Sequence, residues 1–330
     1  MENKILRFAV IGCGLMGLRR MQIVSNNPKS SLIFAVDKNI NIKSEINRRF
    51  KCTFYTDYKK ALKENIIDCV IISVPNKFHS EIACFFLSKK IHVWCEKPLA
   101  RNPKEASDMV DIANKNNVYL KTGGNLRYFP NVNEAKQLID RGEIGDIYYI
   151  RGWVGHSGWT QGAWYSDREL SGGGTFLDNG SHLFDLVRWF CGEVKYGFGA
   201  VRNYHWPLKS VEDNGFGIFE TVKNQIAFIQ ASWTEWKGYM YMEIYGRKGF
   251  VYIKNRGNIC SLKIGDTKGD RKLIKYPKTA KTSHHFEVES FIDSVLKNNQ
   301  PLPSGFDGLR SVEMAYAIYK SSKTGKKIKI

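Results

Sequence analysis

No stretch of this sequence approaches the roughly 18 unbroken apolar residues that a membrane-spanning helix needs. The chain also carries no internal repeat, no low-complexity tract and no Pro/Gly-rich linker. Its seven cysteines are an odd number and include no C-x-x-C pair. Cys69 and Cys95 sit inside apolar runs, where buried free thiols are common. The pattern argues against a disulfide framework or a structural zinc site, and for a reducing compartment. No metal is expected. Residues 1–4 run directly into a short apolar strand without a secretion signal, so a cytoplasmic protein with no membrane partner is expected. Acidic side chains are the scarcer charge, 32 Asp+Glu against 50 Lys+Arg, for a formal net charge of +18. That excess raises nucleic acid as a partner, but it is spread along the chain. Residues 1–125 hold 21 basic and 11 acidic side chains, and residues 126–330 hold 29 and 21. Two denser stretches, 254–281 and the tail from Lys320 to Lys329, belong to no zinc finger, RRM or basic zipper. A solvated basic surface is the better reading, with no nucleic-acid partner and a mild preference for an anionic small molecule.

With 43% apolar and 25% charged residues the chain has the mix of a folded protein, and 330 residues suggest two domains. Residues 1–125 alternate apolar runs (6–11, 32–36, 69–74, 92–95, 119–122) with helical patterns (15–25, 42–50, 58–64, 79–88, 104–116). This spacing predicts βαβ units and a parallel sheet. Beyond residue 125 the pattern changes. A helix over 132–141, a strand over 147–154 and a helix over 181–191 precede strand-like runs near 195–205, 215–222, 225–233, 239–246 and 249–253. Hairpin spacing there predicts a mostly antiparallel sheet. Helices over 286–296 and 308–320 close the chain. The expected division is a dinucleotide-binding domain over 1–125 and a second domain over 126–330, with the last helix returning to the first domain.

The strand ending Phe8-Ala9-Val10-Ile11 leads into Gly12-Cys13-Gly14-Leu15-Met16-Gly17, and a helix follows. This is G-x-G-x-x-G in the context its mechanism requires. Gly12 permits the tight turn, Gly14 lets the backbone approach a pyrophosphate, and Gly17 lets the helix pack on the strand. The free N–H groups at the helix start, Leu15 and Met16 included, then bind the anion. Asp37 ends the next strand, 20 positions beyond Gly17, where a carboxylate can bond both ribose hydroxyls and repel a 2′-phosphate. NAD is therefore favoured, with NADP still possible because Lys38 follows. Capping of the next helix is the competing role for Asp37.

Further motifs follow in order: Ser73-Val74-Pro75-Asn76-Lys77-Phe78-His79, then Cys95-Glu96-Lys97-Pro98, then Asp178-x-x-x-His182-x-x-Asp185 after Gly172-Gly173-Gly174. Together with the glycine loop, and with Tyr245-Gly246-Arg247-Lys248-Gly249 and residues 321–327, this set resembles the Gfo/Idh/MocA family, the glucose–fructose oxidoreductase and inositol dehydrogenase group. The resemblance covers essentially the whole chain. It implies an α/β protein with an N-terminal Rossmann domain and a C-terminal α/β domain built on a large open, mostly antiparallel sheet. It further implies homodimers or homotetramers through that sheet and NAD(P)-linked chemistry on sugars, cyclitols or nucleotide sugars. Two alternatives stay open: an NAD-dependent glycosidase acting by transient oxidation, as in some relatives, and a dinucleotide-binding regulator without catalysis.

Hydride exchange at a carbinol carbon requires removal of the hydroxyl proton, hence a positioned acid/base. Asp178 and His182 are four apart, on one helical face, and Asp185 is spaced to orient the imidazole. In the family, the position of His182 is the acid/base with that of Asp178 beside it. Lys97 follows a strand at the carboxyl end of the sheet, where open α/β sheets bind ligands, and an ammonium there stabilises a developing alkoxide. The family's Glu-Lys-Pro lysine has this role and contacts the nicotinamide ribose, with Glu96 facing the cofactor. Ser73, Pro75, Asn76 and His79 resemble the cofactor loop, although His79 also suits a helix start. Asn125 extends the cofactor set. Arg127 and Tyr128 are substrate candidates, and Arg127 suits a structural tie equally well. Residues 153–165 are aromatic, polar and glycine-rich, the composition of a sugar pocket. Trp153 and His156 there, and Asn179 further on, are assigned to substrate, and the resemblance implies that Trp164 approaches the cofactor, with packing as the alternative for the tryptophans.

Overall fold

The computed structural model describes residues 4–157, 163–257 and 259–330. The chain divides into two compact units, one from residues up to 123 together with 284–309, the other from 124–283 together with 310–330.

The first unit is built on six parallel strands: β1 (Leu6–Ile11), β2 (Ser30–Val36), β3 (Thr53–Tyr55), β4 (Cys69–Ile72), β5 (His92–Cys95) and β6 (Leu120–Thr122). They are ordered β3-β2-β1-β4-β5-β6. Helices α1 (Leu15–Ser25), α2 (Lys43–Phe50), α3 (Tyr58–Glu64), α4 (His79–Ser88) and α5 (Pro103–Lys115) alternate with them. Along β1, Phe8 and Val10 enter one buried cluster with Met21, Val24 and Trp94. Ala9 and Ile11 enter another with Ile82, Phe86 and Met109. Burial on both faces is why these strands read as unbroken apolar runs. The order reverses between β1 and β4, so the loops after these strands flank the position where such sheets bind ligands.

In the second unit the sheet has nine strands among the described residues. They are β7 (Ile147–Ser157), β8 (Val194–Arg202), β9 (Asn214–Thr221), β10 (Ile226–Ser232), β11 (Thr234–Gly246), β12 (Gly249–Arg256), β13 (Ile259–Asp266), β14 (Gly269–Tyr276) and β15 (Ile328–Lys329). Their order is β14-β13-β12-β11-β7-β10-β9-β8-β15. Only the β7–β10 pair is parallel among the described pairs. Helices α6 (Pro130–Asp140), α7 (Arg168–Ser171), α8 (Thr175–Asp178) and α9 (Gly180–Cys191) lie in this unit. One sheet face forms the core, where Ile150, Phe219, Met242 and Val251 meet Leu183 and Phe184 of α9. The other face carries Arg151, Trp153 and Tyr241, with Phe198, Phe216, Ile218 and Phe228 each 40–46% exposed.

The C-terminal half adds two features to the sequence reading. Residues 305–309, which open the last helix, belong to the first unit as expected, and α10 (Ser283–Leu296) rejoins that unit as well. Its Val288, Phe291, Ile292 and Val295 complete the cluster around Phe8 and Trp94, and Thr122 N then donates to Pro303 O at 3.1 Å. The last helix, α11 (Gly305–Thr324), places Val312, Met314, Ala315 and Ile318 in the second unit's core. In addition, residues 259–276, expected only as basic surface, form β13 and β14. No helix among the described residues is long and apolar enough to cross a membrane.

Candidate functional site

The glycine loop between β1 and α1 is shaped by close approaches. Gly12 has φ +93°, and a Cβ there would lie 2.4 Å from Ser73 O. A Cβ on Gly17 would lie 1.9 Å from Gly12 O. Both positions therefore exclude any side chain. Gly14 differs: a Cβ there would meet nothing within 4 Å. It precedes α1, whose first turn has neither an acidic residue nor a side-chain cap. Leu15 is exposed and Met16 half-buried. Uncapped amides at a helix start face open space, the arrangement that receives a phosphate. The Cys13 thiol is buried, and burial pushes it up to about 12, so it packs rather than reacts.

The Asp37 carboxylate bridges this loop and the next turn. Oδ2 accepts from Cys13 N–H at 2.8 Å and Oδ1 from Asn39 N–H at 2.9 Å. Each oxygen keeps further lone-pair capacity. Asn39, not Asp37, caps the short helical turn that follows.

After β4, Ser73 N–H donates to Ile11 O at 2.8 Å, and Ser73 Oγ is buried with no hydrogen-bond partner. An orphaned hydroxyl beside the open loop is what a polar ligand would satisfy. Pro75 leads into a short turn holding buried Asn76. His79 starts α4, with Nδ1 3.0 Å from Pro98 O and Nε2 2.9 Å from Val74 O. Burial holds its pKa below the ordinary imidazole value, opposed by those carbonyls. His79 is thus a brace between the loop after β4 and the turn after β5. That turn carries Glu96, Lys97 and Pro98. Glu96 is buried and its Oε1 accepts from Arg20 Nε at 2.7 Å; Lys97 is half-buried.

In the second unit, Asn125, Arg127 and Tyr128 share one helical turn. Asn125 Nδ2 donates to Ser283 Oγ at 3.0 Å. Arg127 is buried and donates through Nε and Nη2 to the two oxygens of Asp185 at 2.8 and 2.6 Å. The carboxylate spaced to orient His182 therefore forms a bidentate pair with Arg127, and the Arg127 guanidinium carbon lies 5.1 Å from the Trp189 ring centre. Buried pairs of this kind are costly to break from one side, by about 3–5 kcal/mol.

Asp178 ends α8 and His182 lies in the first turn of α9, both half-buried. Asn179 between them is buried, has αR geometry and donates through Nδ2 to Thr175 Oγ1 at 3.3 Å. The helical path is thus continuous, and the i, i+4 relation is retained. The start of this path is pinned by a residue the motifs did not reveal. Glu212 Oε1 accepts from Gly174 N–H at 3.1 Å, Phe176 N–H at 3.0 Å and Tyr319 O–H at 2.8 Å. A Cβ on Gly174 would come within 1.9 Å of Glu212 O. Burial raises the Glu212 carboxyl above the usual range, while these donors pull the other way.

The aromatic stretch does not converge. Trp153 stacks on Tyr241 on the open sheet face, while neighbouring Gly152 faces Leu183 of α9. Alternation along β7 therefore points Trp153 away from the helix that carries His182, and its assignment to the same pocket is corrected. A groove of about 890 Å³ on this open face, lined by Trp236, Tyr241, Tyr252 and Lys254 among others, lies away from α9 for the same reason. His156 is exposed near the end of β7. Trp164 is half-buried and stacks on Tyr165. Trp159, Thr160 and Gln161 lie outside the described residues.

Comparison with known proteins adds the lineage. Residues 6–123 match the model described as oxidoreductase family, NAD-binding Rossmann fold, and residues 132–252 match the GFO/IDH/MocA C-terminal domain. The chain is 26% identical to the myo-inositol 2-dehydrogenase of Thermotoga maritima over 98% of both. It is 27% identical to the 2,7-anhydro-N-acetylneuraminate hydratase of Escherichia coli over 79% of this chain and 71% of that one. Among solved structures, levoglucosan dehydrogenase in complex with NADH superposes with TM-score 0.90 at 21% identity, covering 99% of each chain.

Proposed function

The chain belongs to the Gfo/Idh/MocA family of NAD-binding oxidoreductases, and from that premise we propose that it oxidises or reduces one carbon of a sugar, cyclitol or nucleotide-activated sugar. The observation that carries this reading is the open, uncapped helix start at Gly14, beside the orphaned Ser73 hydroxyl, in a chain matched in both halves by one oxidoreductase family. Gly14, Leu15 and Met16 would hold the pyrophosphate and Asp37 the adenosine ribose, with Ser73, Pro75, Asn76, Glu96, Asn125 and Trp164 as further cofactor positions. NAD, when bound, supplies the hydride acceptor. Lys97 would hydrogen-bond the reacting oxygen and stabilise its developing charge. His182 would exchange the hydroxyl proton, with Asp178 beside it. Tyr128, His156 and Asn179 remain substrate positions, while Arg127, paired to Asp185, acts by shaping the helix that carries His182.

The experiment is incubation of the purified protein with NAD and a panel of polyols, sugars and nucleotide sugars. Growth of NADH absorbance with any of them supports the dehydrogenase reading. Conversion of a carbohydrate with no net NADH favours transient oxidation followed by elimination or hydration, a reading favoured by the similarity to a hydratase. Dinucleotide binding with no conversion of any carbohydrate overturns both. For cofactor choice, Asp37→Ala is expected to narrow the NAD-over-NADP preference about tenfold or more, since a carboxylate beside a phosphate is the discriminating charge. Unchanged selectivity would remove Asp37 from the ribose position.

The open sheet face supports self-association. Phe198, Ile218 and Phe228 lie side by side across β8, β9 and β10, and an exposed apolar row of this kind marks an interaction surface. A homodimer or homotetramer through this face predicts that Ile218→Lys together with Phe228→Lys lowers the mass measured by light scattering. An unchanged mass would place the interface elsewhere.

A further inference from the structure

Four charged side chains are buried in the first unit where apolar residues would be expected. Arg20 is 1% exposed, Lys121 and Glu287 are 0%, and Glu96 is 9%. Arg20 lies on α1, Glu96 follows β5, Lys121 is on β6 and Glu287 on α10. Arg20 Nε donates to Glu96 Oε1 at 2.7 Å and Arg20 Nη2 to Glu287 Oε2 at 2.9 Å. Lys121 Nζ donates to Glu287 Oε1 at 3.1 Å and to Thr122 O at 2.9 Å. The Arg20 guanidinium carbon lies 4.2 Å from the Trp94 ring centre, and Lys121 Nζ lies 4.8 Å from it. Two basic side chains thus face two acidic ones around one indole, and His284 Nδ1 lies 3.9 Å from Glu287 Oε2.

Stability does not account for this arrangement. Burying several charges is expensive, and well-packed apolar residues of similar volume are often as stable or more so. Hydrogen-bonded charges add direction, since the fork of an arginine fixes its partners in place. The position of Glu96 makes that direction matter, because the next residue is Lys97. Its Oε1 is held by Arg20, and on the other side a Cβ at Gly123 would come within 2.7 Å of Oε2 and 3.0 Å of Lys97 N. The turn is therefore clamped between α1 and the end of β6. The same α1 begins at the open glycine loop, so one side chain joins the phosphate-binding helix to the turn that bears Lys97. Glu287 and Lys121 hold that arginine from its far side.

We infer that Arg20, Glu96, Lys121 and Glu287 form a positioning frame that sets the Lys97 turn in register with the dinucleotide-binding loop. Arg20, Lys121 and Glu287 are positioning residues; they act through Glu96 and Lys97. The inference rests on the functional reading above for the role of Lys97. A misplacement of about 1 Å costs an enzyme as much as 10²-fold in rate, so a frame of this kind affects turnover before it affects folding.

The test uses Arg20→Lys, which keeps the charge but loses the fork, and Arg20→Met, which loses both. Arg7→Met is the control. It breaks the half-exposed Arg7–Asp68 pair at 2.9 Å, elsewhere in the same unit. Three quantities are measured: kcat, the NAD dissociation constant, and amide exchange of residues 95–99 in protein free of dinucleotide. In Arg20→Lys, kcat is expected to fall about tenfold, with the NAD dissociation constant unchanged within about threefold and exchange over 95–99 faster by about threefold or more. Arg7→Met is expected to change Tm without changing kcat or that exchange. Should Arg20→Met fail to fold, Arg20→Lys still decides. Wild-type kcat or wild-type exchange in Arg20→Lys overturns the frame. If the wild-type protein converts no carbohydrate, the functional reading fails alone, and the exchange measurement still judges the frame.

Discussion

Replacing Lys97 by alanine is expected to lower kcat by about 10²-fold or more while leaving the NAD dissociation constant within about threefold. His182→Ala is expected to do the same for a different reason. Lys97 would act on charge that appears on the substrate oxygen as the C–H bond breaks, so its loss removes an interaction stronger in the transition state than in the ground state. His182 would act on the proton, a contribution of about 10²–10⁴-fold for a positioned acid/base. The two variants should therefore differ in rescue. Added imidazole is expected to restore part of the turnover of His182→Ala and none of that of Lys97→Ala. Near-normal kcat in either variant would remove that residue from the chemistry, and equal rescue of both would merge the two roles. Binding of NAD should survive in both, because the dinucleotide loop is built from backbone around Gly12, Gly14 and Gly17 and depends on neither side chain.

The fold was legible where burial on both faces erased alternation and helices intervened. Phe8-Ala9-Val10-Ile11 reads as one apolar run because its side chains enter two separate clusters. Legibility failed at the edges. Strand β3 has only three residues, too short for any period to register. Strand β14 is exposed along most of its length, so no buried face imposes an apolar rhythm, and Lys272 and Lys275 made it look like solvated surface. Strand β13 buries Leu262 and Ile264, but Lys263 between them belongs to a basic stretch that masks the alternation.

At the candidate site, what was legible lies in contiguous motifs. The glycine loop, Glu96-Lys97-Pro98 and the helix bearing Asp178 and His182 each place their chemistry within a few residues. The supporting contacts span long separations: Arg127 to Asp185 across 58 positions, Glu212 to Tyr319 across 107, Arg20 to Glu287 across 267. A local signal for some of them did exist. Arg20 occupies the stripe formed by Gly17, Met21 and Val24 on α1, and Glu287 adjoins Val288 and Phe291 on α10, all buried. A charge on the apolar side of an amphipathic helix demands a buried partner, although sequence alone does not say which. Trp153 failed in the opposite way: its composition suited a pocket, but its place in the β7 alternation put it on the other face.

Glu212 yields the second large effect. Its Oε1 alone takes three donors: the amides that open α8 and the Tyr319 hydroxyl. Glu212→Ala strands all three in the core, at about 1–3 kcal/mol for each unsatisfied group, so a loss of about 3 kcal/mol or more is expected in urea unfolding. Glu212→Gln keeps a carbonyl oxygen for the same donors and removes the titration. The sign of the pH effect follows from burial. The folded-state pKa lies above the ordinary 4.5, so the protonated carboxyl is the form that folding favours. Its contribution is complete below the unfolded pKa and is lost as pH rises through the raised folded pKa. Measured from pH 4 upward, the wild type is therefore expected to lose stability relative to Glu212→Gln, by about 1.4 kcal/mol for each pKa unit of elevation. A constant difference between the two proteins across that range would mean that Glu212 titrates alike in both states. The same variants also connect stability to chemistry, because the amides held by Glu212 begin the helical path to Asp178 and His182. Glu212→Ala should therefore lower kcat even in the fraction that remains folded, whereas Glu212→Gln should retain it.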